Sequence, residues 1–297
     1  MVAGYGIAVD GLPLDVPPAD GVSARIRLRW SAERHQVSPP SVSNPVEWIR
    51  EEEDALVVGW ARYAEYRVAR SLFPSASAVL MGADEEQAAL GFLLSVLPLA
   101  LPLFGLEPMH GSAVTAGAGA VLLLGASGSG KSTLASRLAG MGWRFLADDA
   151  CAIDRRGSMW PAPPLLARRS MGEPWREISP YNDKTVVHLP AHRPDPVRPR
   201  GVAVLAPEPG APLNVHPLDS LRAFRALLGH ARAPRAFTSR RRALQLHVVS
   251  GLVRLPVVEV SYEHGRHQVA EVAEALAAWA TTTNSPRSAG AAEEGVA

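Results

Sequence analysis

Cysteine is all but missing from this chain: Cys151 stands alone among 297 residues. A single thiol excludes an internal disulfide framework and a thiolate metal cluster, and it points to a reducing, cytoplasmic setting in which Cys151 is a small core residue. An excess of either charge is missing as well. With a formal net charge of +1, the whole-molecule field gives no reason to expect nucleic acid or a membrane surface as a partner. Charge arguments must therefore be local. The start, Met1 to Leu14, has no basic segment ahead of an apolar run, which a secretory leader would need. Lysine is scarce: of 30 Lys and Arg residues only Lys131 and Lys184 are lysine. Against such a bias toward arginine, a surviving lysine points to chemistry that needs a compact ammonium.

Long apolar runs are limited to one. Ala88 to Leu106 carries no charge and approaches membrane-spanning length. Pro98 and Pro102 should break a helix in its second half, and Asp84, Glu85 and Glu86 stand just before it, so the expectation is a buried helix plus an extended lead-in, with no membrane span.

The hydrophobic fraction of 47% and charged fraction of 20% suit one large domain or a medium domain with a smaller partner. Residues 1–105 read as a β-rich α+β region closed by the apolar helix. Ala24 to Trp30 alternates apolar and basic residues, the signature of a strand whose Arg25, Arg27 and Arg29 face water. Pro39, Pro40 and Pro45 mark a loop; Leu56 to Trp60 and Tyr63 to Val68 suit strands, and Asp84 to Leu97 a helix.

From residue 106 to 280 the rhythm is α/β. Ala120 to Leu124 is a continuous apolar run, as a strand buried on both faces requires. A helix over Ser132 to Ala139 and a short strand over Arg144 to Ala147 follow, the strand delivering Asp148 and Asp149. Trp160 to Arg200 is rich in Pro and Arg and reads as loops with short elements. Gly201 to Ala206 and Val257 to Tyr262 suit strands; Leu218 to Gly229, Ala243 to Gly251 and Glu271 to Ala280 suit helices. Residues 281–297 have few large apolar side chains and read as a disordered tail.

Gly125-Ala126-Ser127-Gly128-Ser129-Gly130-Lys131-Ser132 has the Walker A pattern between a buried strand and a helix, the context that pattern requires. Gly125, Ser127, Gly128, Ser129 and Gly130, with Thr133 in the first helical turn, form a cradle whose backbone N–H groups would face the phosphates of ATP at a helix N-terminus. Lys131 would neutralise the β and γ phosphates and Ser132 would ligate Mg2+. Asp148 and Asp149 alone could be a solvated loop or a helix cap. Beside a phosphate loop they suit the two remaining needs of phosphoryl transfer, a metal contact and a group that takes or orients the acceptor's proton. Arg222, Arg225, Arg232, Arg235, Arg240, Arg241 and Arg242 make a basic stretch, read as a solvated helix face.

Met109-His110-Gly111, Gly119 to Leu124, the glycine loop, and Gly142 to Asp149 occur in an order and spacing that resembles the HPr kinase/phosphorylase family, whose P-loop is related to that of phosphoenolpyruvate carboxykinases. The resemblance covers roughly residues 88–155. It implies an ATP- and Mg2+-dependent serine-type phosphotransferase with Asp148 as general base, Asp149 as metal contact, and His110 against the pair. The Arg-Gly-Leu-Gly segment of that family is absent, and Pro161 to Glu173 reads otherwise, which points away from HPr as the substrate. The β-rich front half looks most like the divergent branch that phosphorylates a serine of a ribosomal precursor such as a lasso peptide. The partner expected is therefore a peptide or protein with a serine hydroxyl, and Lys184 is expected near the transferred phosphate or that substrate. A free-serine kinase and a nucleotide-binding regulatory protein without phosphotransfer are the alternatives. A homo-oligomer stays open.

Overall fold

Where apolar and charged residues alternate, a strand has one dry face and one wet face, and the chain begins with a sheet built that way. The computed structural model describes residues 2–14, 24–34, 46–52, 54–60, 63–70, 74–81, 83–117, 119–168, 177–181, 184–189, 195–231, 239–265 and 268–284. They form a mixed α/β protein with several sheets. Strands β1 (Val2–Gly4), β2 (Ile7–Asp10), β3 (Ala24–Arg34), β4 (Val46–Glu51), β5 (Ala55–Trp60), β6 (Ala64–Ala69) and β7 (Ser75–Leu80) make a seven-stranded sheet in the order β1-β2-β3-β7-β6-β5-β4. In β3, Ile26 and Leu28 are buried while Arg25, Arg27 and Arg29 are exposed. The prolines at 39, 40 and 45 lie outside the described residues.

The apolar run corrects one expectation. Asp84 caps its start by accepting the Gln87 N–H at 2.8 Å, and the chain then stays helical through α1 (Glu85–Gly91), a π turn (Phe92–Val96), α2 (Leu97–Ala100) and a 3-10 turn (Leu101–Phe104). Neither proline breaks it. Pro98 and Pro102 each fall in the first turn of a new helical segment, where the missing N–H has no partner to lose. The run is buried over 72% of its apolar window and packs on the seven-stranded sheet, where the Tyr66 hydroxyl donates to the Ala88 carbonyl at 2.7 Å.

The remaining strands are β8 (Leu106–Met109), β9 (Gly111–Ala116), β10 (Gly119–Gly125), β11 (Arg144–Ala147), β12 (Cys151–Asp154), β13 (Met159–Trp160), β14 (Leu165–Arg168), β15 (Glu177–Tyr181), β16 (Lys184–His188), β17 (Pro199–Pro207), β18 (Asn214–Pro217) and β19 (Val257–Tyr262). Helices α3 (Lys131–Gly140), α4 (Ser220–Gly229), α5 (Ser239–Leu252) and α6 (Val269–Asn284) complete the fold. A six-stranded sheet has the order β11-β9-β10-β17-β19-β18, with β10, β17 and β19 parallel at its centre. Of these strands β10 is apolar and buried throughout and β17 is apolar from Gly201 to Ala206, as burial on both faces demands, whereas Glu259 and Ser261 interrupt β19. Leu134 and Leu138 of α3 and Val272 and Leu276 of α6 pack on one face; Leu244, Val248 and Leu252 of α5 join the core of the other. Truncating a fully buried residue such as Leu122 to alanine would cost about 2–5 kcal/mol.

Of two smaller sheets, β14-β16-β15 supplies the short elements expected between Trp160 and Arg200, and β13-β12-β8 lies almost wholly ahead of that stretch. Their strands are short; β12–β13 and β15–β16 pair as local hairpins, whereas β12–β8 and β14–β16 join more distant segments. The last helix runs to Asn284, so residues 281–284 are helical rather than part of a tail; residues 285–297 lie outside the described part.

Candidate functional site

Register brings the site together. Strand β9 lies between β10 and β11, with Ser112 opposite Leu123, Gly111 opposite Leu124, and Ala113 opposite Ala147. Ser112 is thereby set between the end of β10, where the glycine loop begins, and Asp148 just past β11. The approach at Gly111 is close: a Cβ there would come within 2.6 Å of the Leu123 carbonyl oxygen.

The glycine loop leaves β10 at Gly125, whose added Cβ would meet the Ser129 hydroxyl at 2.5 Å and the Leu205 carbonyl oxygen at 2.9 Å. It enters α3 through Gly130 at φ 87°, left-handed backbone that suits glycine. Ser127, Gly128 and Thr133 are exposed, whereas Ser129 is buried and its carbonyl accepts from the Tyr262 hydroxyl. Burial pushes that hydroxyl's pKa up to about 12, so Tyr262 remains a donor that clamps the loop to β19. The Lys131 ammonium is buried and donates to the carbonyls of Gly125 and Ala126 at 2.9 and 2.8 Å. Its pKa is lowered by that burial, with Asp148 and Asp149 pulling the other way.

Asp148 faces inward. The Ser132 hydroxyl donates to its carboxylate, 2.8 and 3.0 Å from the two oxygens, and the Ser112 hydroxyl donates to Oδ1 at 2.5 Å. Burial raises its pKa and the charge of Asp149 adds to the rise, while the Ser112 and Ser132 hydrogen bonds and Lys184 oppose it. Asp149 turns the other way. Its φ of 63° is the left-handed region, a strained choice for a residue with a Cβ, and its side chain is 51% exposed. Backbone held there points to a local demand, here the need to aim two successive carboxylates in different directions. Asp149 Oδ1 is 3.2 Å from His110 Nδ1, which also lies 3.2 Å from the Asp149 carbonyl oxygen.

Sequence reasoning missed Ser112 and His230. Ser112 carries no motif; only strand register reveals it. His230 caps the end of α4, and its carbonyl accepts the His110 N–H at 2.7 Å next to a Met109 to Ala231 bridge. Burial lowers the pKa of the His230 ring, and His110 and Lys131 lower it further. Lys184, exposed at the start of β16, lies within electrostatic reach of Lys131 and Asp148 without a described contact to either.

Behind the site, Glu107 of β8 is fully buried with Arg241 of α5, whose Nε is 3.7 Å from Glu107 Oε2, and Gln245 donates to Oε1 at 3.4 Å. Burial raises the Glu107 pKa to about 7 against the pull of Arg241, and lowers that of Arg241 to about 10 against the pull of Glu107. The expectation of a solvated basic face therefore fails at Arg241. Arg222 pairs with Glu259 at 3.6 Å; Arg225 and Arg242 are exposed; Arg232, Arg235 and the Arg240 side chain lie outside the described residues.

The chain matches no known family profile and no curated protein sequence. Among solved structures it is similar to the HPr(Ser) kinase/phosphatase from Coxiella burnetii, at 11% identity and a TM-score of 0.34, over 59% of this chain and 92% of that one. The functional argument therefore stands on the residues themselves.

Proposed function

We propose that this protein is an ATP-dependent kinase that transfers the γ-phosphate to a serine-type hydroxyl of a peptide or protein, a precursor peptide of the lasso type being the first candidate. One observation carries the reading: Lys131, Ser132 and two oppositely aimed carboxylates converge where a glycine loop meets a helix N-terminus. Backbone N–H groups and Lys131 would hold the phosphates, the ammonium exchanging its two carbonyl partners for phosphate oxygens.

Mg2+ prefers hard oxygen donors, and Ser132 with Asp148 supplies a hydroxyl and a carboxylate within 3.0 Å of each other. Those two residues would hold the ion. Bound there, it would offset charge on the β and γ phosphate oxygens. This division reverses the one the family resemblance implied. Asp148 suits the metal because it faces Ser132, and Asp149 suits the base because it is open to an incoming hydroxyl. Asp149 would accept the serine proton as the serine oxygen attacks the γ-phosphorus and the bond to the ADP oxygen breaks; His110 would orient that carboxylate.

The test is transfer of labelled γ-phosphate to an array of serine-containing peptides, with Mg2+ titrated. Transfer that Asp149→Asn abolishes, while nucleotide still binds, supports the proposal. Nucleotide binding with no transfer to any peptide or to free serine would leave a regulatory nucleotide-binding protein instead.

A further inference from the structure

At the opposite end of the central sheet from the glycine loop lies a cavity of about 470 Å³ between the β12–β13 turn, the start of β17 and the last two turns of α5. Register fixes its distance. Gly125, where the loop begins, pairs with Leu205, whereas Pro199 at the cavity pairs with Ala120, five residues earlier on β10. At about 3.3 Å per residue the cavity is roughly 17 Å from the phosphate loop.

Arg155, Arg156, Arg198 and Arg254 line it, and none of the four guanidinium groups makes an ion pair among the described residues. Other arginines do face carboxylates, as Arg25 does Asp10 and Arg67 does Glu52. The one acid at the cavity is already engaged. Asp154 accepts the N–H groups of Arg156 and Ser158 and the Trp160 indole N–H, so it shapes the turn rather than neutralising the arginines. The His247 ring donates to the Arg155 carbonyl at 2.9 Å and ties α5 to that turn. Ile153, Val248 and Leu252 supply a buried apolar floor. In a chain of net charge +1, four arginines lining one apolar-floored cavity, none with an ion pair among the described residues, concentrate positive potential where a ligand with an apolar body could sit.

We infer that this cavity is a second ligand site, for a small organic anion with an apolar body and a phosphate or carboxylate group, separate from the nucleotide loop. The guanidinium forks take the anionic group and the floor takes the body. The inference does not depend on phosphotransfer. Calorimetric titration of the full chain with phenyl phosphate and with isophthalate distinguishes the two anionic groups, and inorganic phosphate controls for the apolar body. At least one aryl probe should bind saturably and more tightly than inorganic phosphate. Arg198→Gln and Arg254→Gln should each weaken it about tenfold, the scale of one charge-assisted contact, and Lys131→Ala should leave it unchanged. Thermal unfolding checks that each variant is folded. No saturable binding below about 10 mM, binding that survives both arginine substitutions, or binding lost only in Lys131→Ala overturns the inference.

Discussion

The two large sheets keep their polar groups in different places. Among the described residues, every buried polar or charged side chain lies at or beyond Ser95: Glu107, Ser112, Thr115, Ser129, Lys131, Ser136 and Arg241 are the others. The seven-stranded sheet buries apolar groups, Gly and Tyr, and keeps its ion pairs at the rim, where Arg67 meets Glu52 at 2.9 Å. Burying a charge costs several kcal/mol unless it is paired. Among the described residues the fold accepts this cost only from Ser95 onward, in the part that also holds the candidate site.

The largest effect expected from breaking this contrast is at Lys131. Replacing it with alanine removes the one ammonium in the loop, and nucleotide affinity measured by calorimetry should fall by at least about a hundredfold. Unchanged affinity would mean that the loop does not hold phosphate.

Next come the two carboxylates. Asp149→Asn should lower turnover about 10²- to 10⁴-fold with nucleotide affinity intact, because an amide cannot take a hydroxyl proton. Asp148→Asn should instead raise the Mg2+ concentration needed for half-maximal rate about tenfold. Sign matters for pH. The Asp148 pKa is raised, so its ionised form is disfavoured by the fold. The stability it contributes is present at low pH and is lost as pH rises through the folded value, while a metal competes better with the proton as pH rises. Metal requirement should therefore climb on acidification, and Asp148→Asn should raise Tm at pH 8. A Tm lowered at pH 8 would show that the hydrogen bonds from Ser112 and Ser132 outweigh desolvation.

Much of this site could be read in the chain itself, and the reason is local. The glycine loop needs only its own residues and flanking periodicity, the strand at Val257–Tyr262 carries three valines and a tyrosine, and Asp148 and Asp149 follow a short apolar strand. Other features depend on pairing between distant segments. Ser112 meets Asp148 across 36 residues, and Gln245 meets Glu107 across 138. No window of sequence contains both partners. The strand at Ser75–Leu80 escaped notice for a different reason: its inward positions are Ala76, Ala78 and Leu80, and the two alanines are too small to mark an alternation among serines. Proline misled at 98 and 102 because its cost depends on where in a helical turn it falls.

A third test strikes the buried pair itself. Arg241→Met removes the cation beside Glu107 and should destabilise the chain by about 3–5 kcal/mol in urea unfolding. The loss should be larger at pH 8 than at pH 5. Glu107 titrates near 7 in the folded protein against 4.5 for an ordinary glutamate, so across that interval the folded state holds a proton that the unfolded state releases, and stability falls as pH rises. Without Arg241 the folded value climbs further and the fall extends to higher pH. An equal loss at both pH values would show that only the packing of the Arg241 side chain matters.

The smallest effect belongs to the front sheet and tests the other half of the contrast. Glu52 accepts hydrogen bonds from Arg67 and, at 3.4 Å, from Arg50, and the Arg67 bond holds its pKa below the usual carboxylate value. A lowered acid contributes stability above its unfolded value and loses it as pH falls through the folded one. Here all three side chains lie in water, with 35% exposure at Glu52 and 51% and 63% at the two arginines. Water and salt screen such a cluster, and holding long side chains in place costs entropy that offsets the attraction. Glu52→Gln should therefore leave Tm at pH 7 within experimental error of the parent, with any residual difference vanishing in high salt. A clear drop that persists in high salt would mean that the rim of the front sheet carries structural charge after all, and the division between an apolar platform and a polar working half would have to be abandoned.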